Sequence, residues 1–147
     1  MSHSFTKISI HGVFGTKDRQ PIIIASYEMD LYNHIKMNFK NDFDCFVKSI
    51  NRTADHLHIL FLLNPNLSCS DIFKNIKGES SHWWNQQKFS KMKFAWQTGY
   101  GAFSVSESMV DEVDKYIQNQ KQHHKKVTYN EEVELFMEKY GLQFINR

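Results

Sequence analysis

Hydrophobic spacing along this chain alternates between a period of two and a period near 3.6, in the order strand, helix, strand, strand, helix, strand. Phe5 to Phe14 alternates apolar and polar side chains at Phe5, Ile8, Ile10 and Val13, which predicts a strand with an irregularity near Gly12. After the polar loop Gly15 to Pro21, Ile24, Tyr27, Leu31 and Ile35 recur at helical steps. An amphipathic helix is therefore expected from Ile22 to about Lys40. Asp44 to Asn51 reads as a short strand, Arg52 to Asp55 as a turn, and His56 to Leu63 as a strongly apolar strand closed by Asn64-Pro65-Asn66. Ser68 to Asp71 has the form of a capping box, ahead of a helix with Ile72, Ile76, Ser80 and Trp83 on one face. Trp83 is expected in the core, and Trp84 and Tyr100 are the better candidates for exposure. Lys93 to Ser106 is β-rich and broken at Gly99-Tyr100-Gly101. Ser108 to Asp111 caps a helix expected to reach about His124 on the stripe Val110, Val113, Ile117. A last helix is expected over Asn130 to Tyr140, ending at Gly141.

That order is the split βαβ, or ferredoxin-like, arrangement of the α+β class: an antiparallel sheet with helices on one face, here with helices appended at the C-terminus. At 147 residues the chain is the size of a single domain, 1–147. With 41% hydrophobic and 23% charged residues, six glycines and two prolines, it is neither disordered nor linker-rich. No stretch approaches the run of about 18 uncharged apolar residues that a membrane-crossing helix needs, and Met1 to Lys7 lacks the apolar core of a signal peptide. Cys45 and Cys69 have no CxxC spacing, which points to a reducing, cytoplasmic setting and away from a structural zinc site. The net charge of +2 does not identify a partner. The fold hosts many functions, although the open face of such a sheet can bind single-stranded nucleic acid.

Chemistry is concentrated in three places. His56 and His58 stand at i and i+2 on a strand, so their imidazoles share a face and can converge on one metal ion; they can equally be polar side chains at the start of a half-buried strand. Tyr116 and Gln120 lie one helical turn apart, so a phenol and an amide oxygen can address one site, or Tyr116 can simply pack beside Val113 and Ile117. Lys121, Lys125 and Lys126 follow directly, and Lys74 and Lys77 belong to a second lysine-rich stretch; each is a phosphate-contacting patch or a solvated face. Of the 18 basic residues only Arg19, Arg52 and Arg147 are arginines, a balance that suits backbone contact better than bidentate reading of guanine. Arg52 and Asp55 can orient an imidazole or serve the turn. No P-loop pattern is present, and no third carboxylate stands beside the histidines to recommend a metallohydrolase.

Together these residues resemble the single-tyrosine HUH transposases of the insertion-sequence 200/605 type, in particular the branch associated with repeated extragenic palindromes (REP). The resemblance runs through Phe14 to Pro21, Ala54-Asp-His-Leu-His-Ile59, Ile76 to Ser81, Phe94-Ala-Trp-Gln-Thr-Gly-Tyr-Gly-Ala-Phe-Ser-Val-Ser106 and Tyr116-Ile-Gln-Asn-Gln120, followed by His123-His124. It implies that Tyr116 is a nucleophile and that His56, His58 and Gln120 hold Mg²⁺ or Mn²⁺. It further implies a metal-dependent transposase that cuts and rejoins single-stranded DNA near hairpins through a 5′-phosphotyrosine link. Such an enzyme needs no nucleotide cofactor and no membrane. The family implies a bacterial, nucleoid-associated homodimer in which the tyrosine helix of one subunit completes the histidine site of the other. The alternative is a domesticated protein that binds hairpin DNA or RNA on the same fold without cutting it.

Overall fold

The structure is a computed structural model that describes residues 4–123 together with residues 128, 131, 132, 134 and 135. Strand β1 (Ser9–Gly15) is followed by helix α1 (Glu28–Phe43), the hairpin β2 (Val47–Arg52) and β3 (His56–Leu62), helix α2 (Cys69–Gln87) and strand β4 (Gly101–Val105). Helices α3 (Val110–Gln118) and α4 (Gln120–His123) come after the sheet. The four strands lie in the order β2-β3-β1-β4, and every neighbouring pair is antiparallel. This is the α+β, ferredoxin-like arrangement that the order of periodicities predicts.

Strand alternation sorts the side chains of the sheet onto two faces. Ile10, Phe14, Leu57, Ile59 and Phe61 join Leu31, Ile35 and Phe39 of α1 and Ile72, Phe73 and Ile76 of α2 in the larger core. Gly12 lies under this layer: a Cβ there would sit 2.3 Å from Cζ of Phe73, so the sequence keeps no side chain at that position. The opposite face carries a smaller core. There α3 lays Val110, Val113 and Ile117 on Leu60 and Val105. Complete burial of a side chain such as Ile117 contributes about 1.5–3 kcal/mol. Polar ties fix the same helix to β2, with Asn51 Nδ2 donating to the carbonyls of Ile117 (2.9 Å) and Gln118 (3.0 Å), and the Ser49 hydroxyl donating to Asp114.

The element boundaries differ from expectation where tertiary contacts override the local pattern. Helix α1 starts at Glu28, not Ile22, because Ile22 and Ile23 are both buried in the core and an extended segment ahead of the helix delivers both. Asp44 closes α1 in the left-handed region (φ 52°), so β2 begins only at Val47. Trp84 is buried and Trp83 is half-buried, the reverse of the expectation. Ile72, Ile76, Ser80 and Trp84 follow one row of four-residue steps along α2, whereas Trp83 turns aside to stack on His34 with ring centroids 4.4 Å apart. Tyr100 stays 38% exposed but stacks on Phe73 at 4.6 Å. The expected cap at Ser68 is present, its hydroxyl accepting from the amide of Asp71 at 3.2 Å. The helix expected to run to His124 is interrupted at Asn119, which separates Tyr116 on α3 from Gln120 on α4. The helix expected over residues 130–140 lies largely outside the described residues, though Glu131, Glu132, Glu134 and Leu135 are helical.

Candidate active site

His56 and His58 occupy the first and third positions of β3, so both point to the face that carries α3. Both are buried completely. The Nδ1 atom of each is engaged. His56 Nδ1 lies 2.8 Å from Asp55 Oδ1 and 2.7 Å from the Thr53 hydroxyl. His58 Nδ1 lies 2.8 Å from Nε2 of His11, a buried residue of the adjacent strand β1. With the Nδ1 positions taken, the Nε2 atoms face the interior of the site.

Opposite them is the carboxylate of Glu132, 1% exposed. Its Oε1 is 2.8 Å from His58 Nε2 and 3.5 Å from His56 Nε2. Its Oε2 accepts a hydrogen bond from the hydroxyl of Tyr116. The Tyr116 ring stands edge-on to His58, with centroids 5.8 Å apart, and 6.2 Å from His11. Tyr116 thus meets both histidines through one carboxylate, within a single chain. The expectation that no third carboxylate accompanies the histidines is corrected: Glu132 arrives from a segment far along the sequence, where neighbouring acidic residues hide it from any spacing argument.

The site attracts positive charge. Burial works against a charged imidazole at His56, but the carboxylates of Asp55 and Glu132 outweigh it and hold the ring above the ordinary histidine value. The hydrogen bond from His56 holds the Asp55 carboxyl below its usual range despite partial burial. Asp55 therefore orients an imidazole. Arg52, the other residue considered for that part, instead pairs with Glu28 at 2.8 Å.

Ligand atoms of His56, His58 and Glu132 all lie within 4.8 Å of one another, a spacing that suits one divalent cation. Gln120 is also buried completely; its Nε2 donates to the carbonyl of Tyr116 at 3.4 Å, and its Oε1 has no hydrogen-bond partner among the described residues. A buried amide oxygen left in that condition is a chemically suitable donor to a hard cation.

The lysines divide. Lys74 is exposed on α2. Lys77 donates to the carbonyls of Gln97 (2.6 Å) and Gly99 (2.7 Å), and burial lowers its pKa. Lys121 reaches both oxygens of Glu28, at 2.9 and 3.0 Å. Lys125 and Lys126 lie outside the described residues. The block from Trp96 to Ser106 is held to α2 by Lys77 and by Trp96 Nε1, which donates to Ser80 Oγ at 2.9 Å. Among the described residues no helix is long and apolar enough to cross a membrane.

The family described as "Transposase IS200 like" matches residues 4–120. No curated protein matches the sequence. Two solved structures share the fold. One is a protein of Deinococcus radiodurans R1 named as a candidate transposase, with TM-score 0.61, 20% identity, and coverage of 82% of this chain and 96% of that one. The other is a REP-associated tyrosine transposase bound to a REP hairpin, with TM-score 0.62, 16% identity, and coverage of 84% of this chain and 73% of that one.

Proposed function

Because the chain belongs to the IS200-like transposase family, we propose that it cleaves and rejoins single-stranded DNA beside a hairpin, with Tyr116 as the nucleophile. One observation carries this reading: a phenol and two buried imidazoles meet on the α3 face of the sheet, inside one chain. The Tyr116 oxygen forms a bond to phosphorus while the bond from phosphorus to the 3′ oxygen breaks. The phenolic proton is released and the departing oxygen takes one up, leaving a 5′-phosphotyrosine and a free 3′-OH. The reverse reaction, with a 3′-OH from another end, joins strands. The energy of the broken bond is kept in the phosphotyrosine, so no nucleotide cofactor is needed.

His56 and His58, with Gln120 as a further ligand, hold a divalent cation in this reading. Bound there, the cation draws charge from a non-bridging phosphate oxygen. Imidazoles are softer donors than Mg²⁺ prefers, which favours tighter binding of Mn²⁺. Thr53, Asp55 and His11 keep the two rings turned so that Nε2 is the donor atom.

The substrate follows from the structural neighbour that binds a REP hairpin: a DNA hairpin with an unpaired flank that exposes the phosphate. Lys74, Lys121, Lys125 and Lys126 contact its backbone, with Lys77 supporting the loop at Gln97 to Gly99. Tyr116 and His58 meet within one chain, which supports cleavage in cis, in a monomer or independently in each subunit of a homodimer. The shared site implied by the family resemblance is not needed for that geometry.

The test is incubation of the protein with hairpin DNA carrying a single-stranded flank and Mn²⁺ or Mg²⁺. A protein–DNA adduct stable to denaturing electrophoresis is expected for the wild type and none for Tyr116→Phe. Hairpin binding in EDTA with no adduct under any metal would favour the non-cleaving alternative.

A further inference from the structure

Glu132 is an acid buried to 1% exposure, and its two oxygens have different neighbours. Oε1 faces the Nε2 atoms of His58 and His56 at 2.8 and 3.5 Å, and Oε2 receives the hydroxyl of Tyr116. Its backbone is fixed as well. Thr128 caps this turn, its hydroxyl accepting from the amide of Glu131 at 3.2 Å and its carbonyl from the amide of Glu132 at 2.9 Å.

Nδ1 of His56 meets Asp55 Oδ1 and Nδ1 of His58 meets Nε2 of His11, so both rings turn Nε2 toward Glu132. Ligand atoms of the three residues lie within 4.8 Å of one another, so one divalent cation can take a donor from each. Glu132 Oε1 lies on the same side of both rings as their Nε2 atoms, 2.8 Å from His58 and 3.5 Å from His56, within reach of an ion held by the two imidazoles.

We propose that Glu132 is a ligand of the metal site through Oε1 and at the same time the positioning residue for the nucleophile through Oε2. One carboxylate would then tie the cation to the Tyr116 hydroxyl, so that metal and nucleophile are set at a fixed separation before DNA arrives. This rests on the reading of His56, His58 and Tyr116 as the catalytic set. It adds a donor that lies beyond the stretch matched by the family, residues 4–120.

The experiment measures Mn²⁺ binding by the free-ion electron paramagnetic resonance signal, without DNA, for wild type, Glu132→Gln, Glu132→Ala and His58→Ala. Adduct formation is followed in the same proteins, and thermal melting establishes that each is folded. The Glu132 variants are expected to bind Mn²⁺ at least tenfold more weakly. They should also form adduct more slowly, with part of the rate recovered by Glu132→Gln at high Mn²⁺. Wild-type Mn²⁺ affinity in both folded Glu132 variants overturns the proposal. So does faster adduct formation by Glu132→Ala, which would make the carboxylate an obstruction. If His58→Ala loses Mn²⁺ while the Glu132 variants keep it, only this inference fails; if His58→Ala also binds Mn²⁺ normally, the underlying metal site fails with it.

Discussion

Nε2 of His11 lies 2.8 Å from Nδ1 of His58, across the pairing of β1 with β3, and both rings are buried. This contact engages Nδ1 of His58 and leaves the ring with Nε2 turned toward Glu132. His11→Phe keeps the volume and removes the partner, so Mn²⁺ affinity is expected to fall about 10–100-fold, with Tm changed far less than metal binding. Isothermal titration with Mn²⁺ checks it; unchanged affinity in a folded variant would remove His11 from the account.

Glu28 ties three elements together: its carboxylate meets Arg52 of β2 at 2.8 Å and Lys121 of α4 at 2.9 Å. Burial raises its pKa, but Lys121 and Arg52 outweigh burial and bring it below the ordinary value of 4.5. A depressed carboxyl contributes stability that is complete above the unfolded pKa and is lost as pH falls through the folded one. Glu28→Gln is therefore expected to cost about 1–3 kcal/mol at neutral pH, chiefly by leaving Arg52 underpaired. Denaturant melts at descending pH should show the difference from wild type shrinking below pH 4.5.

Two lysines on α2 should behave differently. Lys74→Ala removes an exposed cation, so hairpin affinity should fall and the slope of log affinity against log salt should drop by about one, with Tm unchanged. Lys77→Ala removes the donor to two carbonyls and should lower Tm. Fluorescence anisotropy across a salt series, with melts of both variants, separates the two effects.

Much of this was legible in the sequence because it rests on local periodicity. The order of strands and helices, the cap at Ser68 and the shared face of His56 and His58 all follow from spacing. What spacing does not carry is which strand lies beside which, and the site depends on that. His11 enters only because β1 pairs with β3, and Glu132 only because a remote turn folds back over the histidines. Trp83 and Trp84 exchanged places because a four-residue row, not the three-residue alternative, faces the sheet. Ile22 read as helical although the core takes Ile22 and Ile23 together from an extended chain.

The proposed cleavage in cis has a separate consequence. Mixing Tyr116→Phe with His58→Ala should give no adduct, since neither chain holds both halves of the site. Adduct in the mixture, carried by the His58→Ala chain, would show that subunits exchange tyrosines.

The most direct measurement is peptide mapping by mass spectrometry after reaction with hairpin DNA and Mn²⁺ and nuclease trimming. The account predicts a nucleotide remnant on the peptide bearing Tyr116 and on no other tyrosine. A remnant on another residue, or no covalent nucleotide at all with intact metal binding, would contradict it.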